Sequence, residues 1–150
     1  MGEKPNTTKG SANSIGYALK GISTEKFEAI FEPSGPVEIN LAVSIKSNYD
    51  EQSIGLNLGI RFRENGNEFL KLESTCHFEI SPNDWISMSD PETGNVTLPK
   101  NFLNHLASIA IGTARGILHS KTENTPYNKF FLPLIDVAEL GGKDLVVKKE

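Results

Sequence analysis

The chain has 150 residues, of which 37% are hydrophobic and 23% are charged, and its formal net charge is -4. This length fits one globular domain with one core, and an acidic chain without a basic cluster is poorly suited to binding nucleic acid. The first residues have no apolar core and no long apolar run follows, so we expect no signal peptide, no membrane span and a cytoplasmic protein.

Composition divides the chain into three parts. Residues 1–14 are polar and rich in small side chains, which predicts a flexible tail. Residues 15–140 hold nearly all the apolar patterning and form the predicted single domain. Residues 141–150 follow a Gly-Gly pair and are predicted to be a C-terminal tail.

Three segments, residues 37–46, 53–63 and 69–80, alternate apolar and polar side chains with period two. This pattern is typical of antiparallel strands with one buried and one wet face. The predicted inward positions are Val37, Ile39, Leu41, Val43 and Ile45, then Ile54, Leu56, Leu58, Ile60 and Phe62, then Leu70, Leu72, Ser74, Cys76, Phe78 and Ile80.

The inward residues are odd-numbered in the first segment and even-numbered in the other two. This parity constrains the turns, because opposed residues in an antiparallel pair share a face. For the first pair we predict Ser47 opposite Gln52, with a four-residue loop between them. For the second pair, parity forbids a two-residue Asn65-Gly66 hairpin. A three-residue loop over residues 65–67, or an equivalent bulge, would place Phe62 opposite Leu70.

A weaker alternation through Phe27, Ala29 and Phe31, stopped by Pro33, predicts a fourth strand at a sheet edge. Residues 81–95 are predicted to be a crossover loop. Thr97 is the predicted N-cap of a long helix that runs to about His119, because apolar residues from 102 to 118 recur at helical spacing. After a break at residues 121–128, residues 130–140 form a second apolar segment, predicted to be a short apolar or helical element. The predicted fold class is therefore α+β: a four-stranded antiparallel sheet, a meander with a crossover, covered by one long C-terminal helix.

Common catalytic and nucleotide-binding motifs are missing from the sequence, which argues against an enzyme and predicts no cofactor. His105 and His119 share a side of the predicted helix but lie about 21 Å apart along its axis, too far to hold one metal ion. His77 points away from the neighbouring Cys76, and this single cysteine is expected to be a buried hydrophobe. We expect no metal site.

The end of the helix and the second apolar segment hold the most informative residues. Asp136 stands between two apolar residues and needs a polar partner, for which Arg115 is a candidate. Gly112 and Gly116 each weaken the helix, and their spacing leaves a shallow groove for a close neighbour. That neighbour could be the protein's own sheet or a second subunit, and Gly116 could also mark the helix end.

A helix with Arg115-Gly116, followed by Leu132, Pro133, Ile135 and Asp136, resembles the SecB family of export chaperones. In that family a helix closing on Arg-Gly leads to a Leu-x-Pro-Ile/Val-Asn/Asp-aromatic motif. Val137 stands where the family usually has Phe. The resemblance covers residues 16–140 and suggests a divergent, SecB-like member.

This resemblance implies a homo-oligomer, a dimer of dimers, whose helices meet across the subunit interface near Ile109, Gly112 and Gly116. It also implies a holdase that binds unfolded or nascent polypeptides without nucleotide or metal, in the service of export and with a translocase component as a possible partner. The chain shows no match to the acidic surface that docks on the translocation motor. The implied apolar groove would be lined by Phe27, Phe31, Phe130, Phe131, Leu132, Leu134 and Ile135.

Two other functions fit the same residues. One is an interaction protein or chaperone dedicated to a single partner, such as a toxin–antitoxin or secretion component. The other is a small ligand-binding domain or enzyme that uses His77, His119 and a cavity between sheet and helix. A deep polar cavity would favour the latter, and an open apolar channel would argue against it.

Overall fold

The computed structural model describes residues 14–137 and 142–149, and the predicted tail residues 1–13 lie outside this range. Four long strands come first: β1 (Tyr17–Ala29), β2 (Glu38–Asn48), β3 (Ser53–Glu64) and β4 (Asn67–Ile80). They are followed by α1 (Pro82–Ser87), β5 (Val96–Leu98), α2 (Lys100–Thr122), a 3-10 helix (Pro126–Lys129) and β6 (Leu145–Val147).

The four long strands form one antiparallel sheet in the order β1-β4-β3-β2. Strands β2, β3 and β4 are a meander, and residues 30–37 cross from β1 at one edge to β2 at the other. The predicted α+β class, with a four-stranded antiparallel sheet and an edge position for the fourth strand, is confirmed.

The predicted division of the sheet into a buried and a wet face is confirmed on β3 and β4. Their predicted inward residues are all buried, whereas on the edge strand β2 the inward residues are half-buried and Ile39 is exposed. An edge strand has a neighbour on one side only, so its inward side chains keep more contact with water.

The turn between β3 and β4 combines a two-residue Asn65-Gly66 turn with a bulge in the strand. Asn65 and Gly66 form a two-residue turn with φ of 51° and 81°, which is the conformation that Asn-Gly favours in hairpins. A bulge beside Phe62 then restores the predicted pairing of Phe62 with Leu70. The expectation that parity excludes the two-residue turn was wrong, because the extra residue is absorbed within the strand. The bulge also buries both Phe69 and Leu70.

The predicted register between β2 and β3 has the right parity but is displaced. Ser47 lies opposite Ile54 rather than Gln52, and the four-residue loop runs from Tyr49 to Gln52. The amide of Gln52 donates to the carbonyl of Tyr49 at 3.2 Å, and Gln52 adopts a φ of 55°. The loop is therefore one residue later than predicted.

Strand β1 begins at Tyr17 and ends at Ala29, so it is longer than predicted and stops before Phe31. Its pairing with β4 is interrupted between Leu19 and Gly21 and again between Thr24 and Lys26. Each bulge shifts the inward phase by one residue, which hides the alternation in the sequence. The inward positions are thus Tyr17, Leu19, Ile22, Thr24, Phe27 and Ala29, opposite inward residues of β4.

The crossover after β4 contains more structure than predicted. It holds α1 and leads into β5, where Thr97 pairs with Val146 of β6 and so cannot cap α2. Pro99 is the residue just before α2 and makes no side-chain cap bond. The amide of Lys100, the first residue of the helix, donates to Asp144 Oδ1 at 2.8 Å. Residues 145–147, in the predicted C-terminal tail, therefore pack on the domain, with Val147 buried.

Helix α2 runs three residues beyond the predicted end at His119. Thr122 is buried, and its hydroxyl donates to the carbonyl of Leu118 at 2.8 Å, which holds the last turn. The second apolar segment is not helical from Phe130 to Asp136, since Pro133 lacks the amide that a helix would need. Residues 138–140 of that segment lie outside the described residues.

The core lies between the sheet and α2 and is formed by two clusters of buried residues. One joins α1, β5, β6 and the first half of α2 to one end of β3 and β4. The other joins the second half of α2 and the C-terminal segment to the opposite end of the same strands. Cys76 is buried in the first cluster, where desolvation raises the pKa of its thiol, as expected of a structural cysteine.

Candidate polypeptide-binding surface

The segment from Phe130 to Val137, called here the C-terminal segment, has one side on the core and the other in solvent. Phe130 packs against the rings of Phe62 and Phe69, with centroids 6.0 and 5.1 Å apart. Leu132 is only 1% exposed, and Ile135 and Val137 are half-buried. By contrast, Phe131 is 63% and Leu134 is 90% exposed. Two large apolar side chains therefore stand in water on a segment whose other side chains, Phe130 and Leu132, pack on the core.

Arg115 of α2 holds this segment in place. Its Nε donates to the carbonyl of Leu132 at 2.8 Å, and its terminal amino group donates to the carbonyl of Pro133 at 2.9 Å. Arg115 thus reaches the predicted motif and donates there to two backbone carbonyls. The guanidinium fork suits two neighbouring acceptors, because its donors are fixed in one plane.

Replacing Arg115 by alanine should release the C-terminal segment. We expect a loss of about 2–4 kcal/mol of unfolding free energy. Two hydrogen bonds from a charged donor contribute about 1.5–3 kcal/mol each when buried, and exposure of the second bond to water lowers the sum. R115K, which keeps the charge but not the fork, should lose about half as much. Urea unfolding measures the loss, and tryptic cleavage after Lys129 should become faster. An unchanged cleavage rate in R115A would contradict this role for Arg115.

The inner face of β1 provides a second exposed apolar surface. Helix α2 packs over β3 and β4, and it leaves Leu19 and Ile22 of β1 exposed. Ile30, just after the strand, is also exposed, while Phe27 and Phe31 are half-buried. Sequence reasoning missed Leu19 and Ile22 because the two bulges break the alternation that would have marked them.

The two predicted phenylalanines of this region are partly used by the core. Phe31 packs on Phe69 with a centroid distance of 5.7 Å, and Phe27 lies at the edge of the same cluster. Of the predicted groove residues, Phe131 and Leu134 are therefore the most accessible, and Leu132 is a core residue. The seven predicted groove residues are thus divided between the region of β1 and the C-terminal segment and do not line one element.

Gly112 and Gly116 lie on the outer side of α2 and are exposed. A Cβ built at either position would meet no described atom within 4 Å beyond the backbone of the adjoining helical turns. Close packing on the protein's own sheet and a helix end at Gly116 are therefore excluded as reasons for these glycines. Both lie within about 20° of His105 around the helix axis, and Ile109 beside them is half-buried.

The histidines do not converge. His105 Nε2 is 2.7 Å from the hydroxyl of Tyr17, whereas His119 lies beside Glu123 and Asn128. His77 is exposed on the wet face of the sheet, opposite in direction to Cys76, as predicted. Within residues 14–137 and 142–149, no three potential ligands are grouped around a possible metal position.

The wet face of the sheet carries an open cavity of about 770 Å³, lined mostly by polar and charged residues. Glu25 accepts hydrogen bonds from Ser23 at 2.6 Å and Thr75 at 3.0 Å, and Ser23 also lies 3.2 Å from His77 Nε2. In a serine hydrolase the carboxylate would bind the other ring nitrogen of the histidine, not the serine hydroxyl. These four side chains thus contact one another at hydrogen-bond distance without forming a catalytic triad.

Comparison with solved structures supports the fold. The SecB-like chaperone Rv1957 of Mycobacterium tuberculosis, solved in complex with a peptide from the HigA1 antitoxin, matches with a TM-score of 0.51 at 10% identity. The match covers 79% of this chain and 90% of that one. The chain therefore has a SecB-like fold, and at this identity the likeness concerns the fold alone.

A second solved structure, a protein of unknown function from Streptococcus agalactiae, matches with a TM-score of 0.38 at 9% identity, over 81% of this chain and 98% of that one. A likeness this weak supports no conclusion. No protein-family model and no curated protein matches the sequence. Among the described helices, none combines the length and apolarity needed to cross a membrane.

Proposed function

We propose that this protein is a cytoplasmic holdase chaperone that binds non-native polypeptides without catalysis, nucleotide or metal. The observation that supports the proposal best is the pair of exposed residues Phe131 and Leu134 on a segment anchored by Arg115 and backed by Leu132. Neighbouring large apolar side chains that stand in water together are what marks an interaction surface on a soluble protein. The uncovered inner face of β1 adds to this surface.

Such a surface suits many clients rather than one sequence. Burial of each large apolar side chain contributes about 1.5–3 kcal/mol and requires no particular partner sequence. The net charge of -4 favours clients with basic residues near their hydrophobic stretches. The SecB-like fold is consistent with this use.

The assembly that we propose is a homo-oligomer in which the outer side of α2 meets a second copy at Ile109, Gly112 and Gly116. The open space above both glycines supports this proposal, because each glycine costs helix stability of up to about 1 kcal/mol without serving a contact in its own subunit.

The test of the chaperone function is suppression of aggregation. The full chain, added at a near-stoichiometric ratio to a chemically denatured protein diluted into buffer, should reduce light scattering by more than half. An equal mass of a non-chaperone protein of similar charge is the control. No reduction at a tenfold excess would refute the proposal.

A chaperone for one dedicated partner is the second candidate. It is supported by the fold neighbour Rv1957, whose structure holds a peptide from an antitoxin. Affinity capture from the source cells should then yield one dominant partner, whereas a general holdase should yield a spread of nascent chains. A role in export, with a translocase component as the partner, predicts that the translocation motor is recovered in the same capture experiment.

A further inference from the structure

Residues 142–149, called here the β6 segment, lie on the domain in the manner of a bound peptide. Strand β6 pairs antiparallel with β5, and the opposed residues are Leu145 and Leu98, Val146 and Thr97, and Val147 and Val96. Addition of an extended segment to the free edge of a strand is a common way in which domains bind peptides. Here the segment that is added belongs to the same chain.

Alternate side chains of the β6 segment fit into the domain. Val147 is 2% exposed and belongs to the buried cluster that also contains Trp85 and Phe102. Leu145 is half-buried, whereas Val146 between these two residues is 48% exposed. An extended chain presents every second residue to the same side. The apolar contacts of the segment therefore fall on positions 145 and 147.

Polar contacts fix both ends of the β6 segment. The amide of Lys100, in the first turn of α2, donates to Asp144 Oδ1 at 2.8 Å, and Pro99 before the helix provides no side-chain cap. At the other end, the amide of Lys149 donates to Asn95 Oδ1 at 3.0 Å. A carboxylate at a helix N-terminus is favoured both by the free amides and by the helix dipole. The groove thus has one position for an acidic side chain and two for apolar ones.

We propose that the groove between β5 and the first turn of α2 is a peptide-binding site, which the β6 segment occupies within its own chain. The partner that fits it is an extended polypeptide with an acidic residue followed by apolar residues one and three positions later. The acidic residue would cap α2 in place of Asp144. The two apolar residues would replace Leu145 and Val147.

The β6 segment is held by few enough contacts to be displaced. Three residue pairs join it to β5, and Val147 is the single buried side chain among residues 142–149. Segments with few buried apolar contacts open locally at a low free energy. The opposite edge of β5 is already occupied, since the amide of Thr97 donates to the carbonyl of Met88 at 3.1 Å. Detachment therefore uncovers one strand edge beside one apolar pocket, which a peptide of the same pattern fills.

This inference goes beyond the proposed function and does not rest on it. The groove lies at the N-terminal end of α2, whereas Phe131 and Leu134 lie on the C-terminal segment, which is bound to Arg115 in the second half of the helix. The tests below use a defined peptide and no unfolded client. The two proposals therefore fail independently.

A synthetic peptide with the sequence of residues 142–149 is the probe. In the wild type the attached β6 segment competes with it, so the apparent affinity falls in proportion to the fraction of molecules in which the segment is detached. V147D removes the buried anchor from the chain and should make the free peptide bind at least about tenfold more tightly. NMR titration of the isotope-labelled protein measures the dissociation constants. The Lys100 amide signal should return to its wild-type position as the peptide fills the groove.

The matched control is V146D, because Val146 is the same residue type on the exposed side of the same strand. Its affinity for the peptide should stay within twofold of the wild-type value. A peptide that itself carries V147D should bind to none of the three proteins. Equal tightening in V146D and V147D, or no binding to V147D at millimolar peptide, would overturn the proposal.

D144A tests the same groove without touching the core, since Asp144 is exposed. Loss of the helix cap should weaken the attachment of the β6 segment and raise the apparent affinity for the peptide about fivefold. An unchanged affinity in D144A would overturn the proposed place of the acidic residue. Sedimentation velocity completes the test. If V147D sediments as a smaller species than V146D, the β6 segment is exchanged between two copies of the chain, and occupancy within one chain is overturned.

Discussion

Replacing Phe131 and Leu134 together by serine is expected to weaken binding of an unfolded polypeptide at least tenfold. Both side chains are mostly exposed, so their removal reduces the apolar surface of this protein that a ligand can contact and opens no cavity in the core. Full burial of two such side chains contributes about 3–6 kcal/mol, of which a tenfold change uses about 1.4 kcal/mol. Fluorescence anisotropy with a labelled, reduced and alkylated polypeptide measures the effect.

The matched control is I86S. Ile86 is 65% exposed on α1, away from the C-terminal segment, so the substitution removes similar apolar surface elsewhere. We expect its affinity to stay within twofold of the wild type. Equal losses in F131S/L134S and I86S would show that binding follows general surface hydrophobicity. Unchanged binding in F131S/L134S would remove the C-terminal segment from the proposed surface.

The buried face of the sheet could be predicted from the sequence because a period of two survives wherever strands are regular. The alternation of β3 and β4 identified their buried residues and fixed Phe62 opposite Leu70. It failed where a bulge inserts a residue. Phe69 was missed for that reason, as were Leu19 and Ile22 of β1. These failures concern local register, which hydrophobic pattern does not encode at a bulge.

Contacts between distant parts of the chain were beyond sequence reasoning. Asp144 caps α2, and β6 pairs with β5, although about 45 residues separate the partners and neither segment is long enough to show a pattern. The candidate surface was predicted in part. Composition identified the apolar C-terminal segment, but only the folded structure distinguishes Leu132, on the core, from Leu134, in solvent. That difference depends on the bonds from Arg115, which no local pattern signals.

Substitutions at Gly112 and Gly116 are expected to separate the stability of the subunit from its assembly. In the subunit alone G112A/G116A should be stabilising, because alanine in a helix interior is favoured over glycine by about 1 kcal/mol at each site. Nothing in the described structure opposes the added methyl groups. The melting temperature should rise by about 4–8 °C for this size of chain. Differential scanning calorimetry under conditions that keep the chain monomeric measures the shift.

Larger side chains at the same positions test the proposed contact with a second copy. G112L/G116L should leave the subunit folded, because both positions face open space, yet it should raise the dissociation constant of the oligomer at least about tenfold through overpacking at the interface. K121L is the matched control, since Lys121 is exposed and lies about 140° or more from both glycines around the helix axis. Sedimentation velocity compares the three proteins. If G112L/G116L assembles as well as the wild type, the outer side of α2 is not a subunit interface, and the two glycines need another explanation.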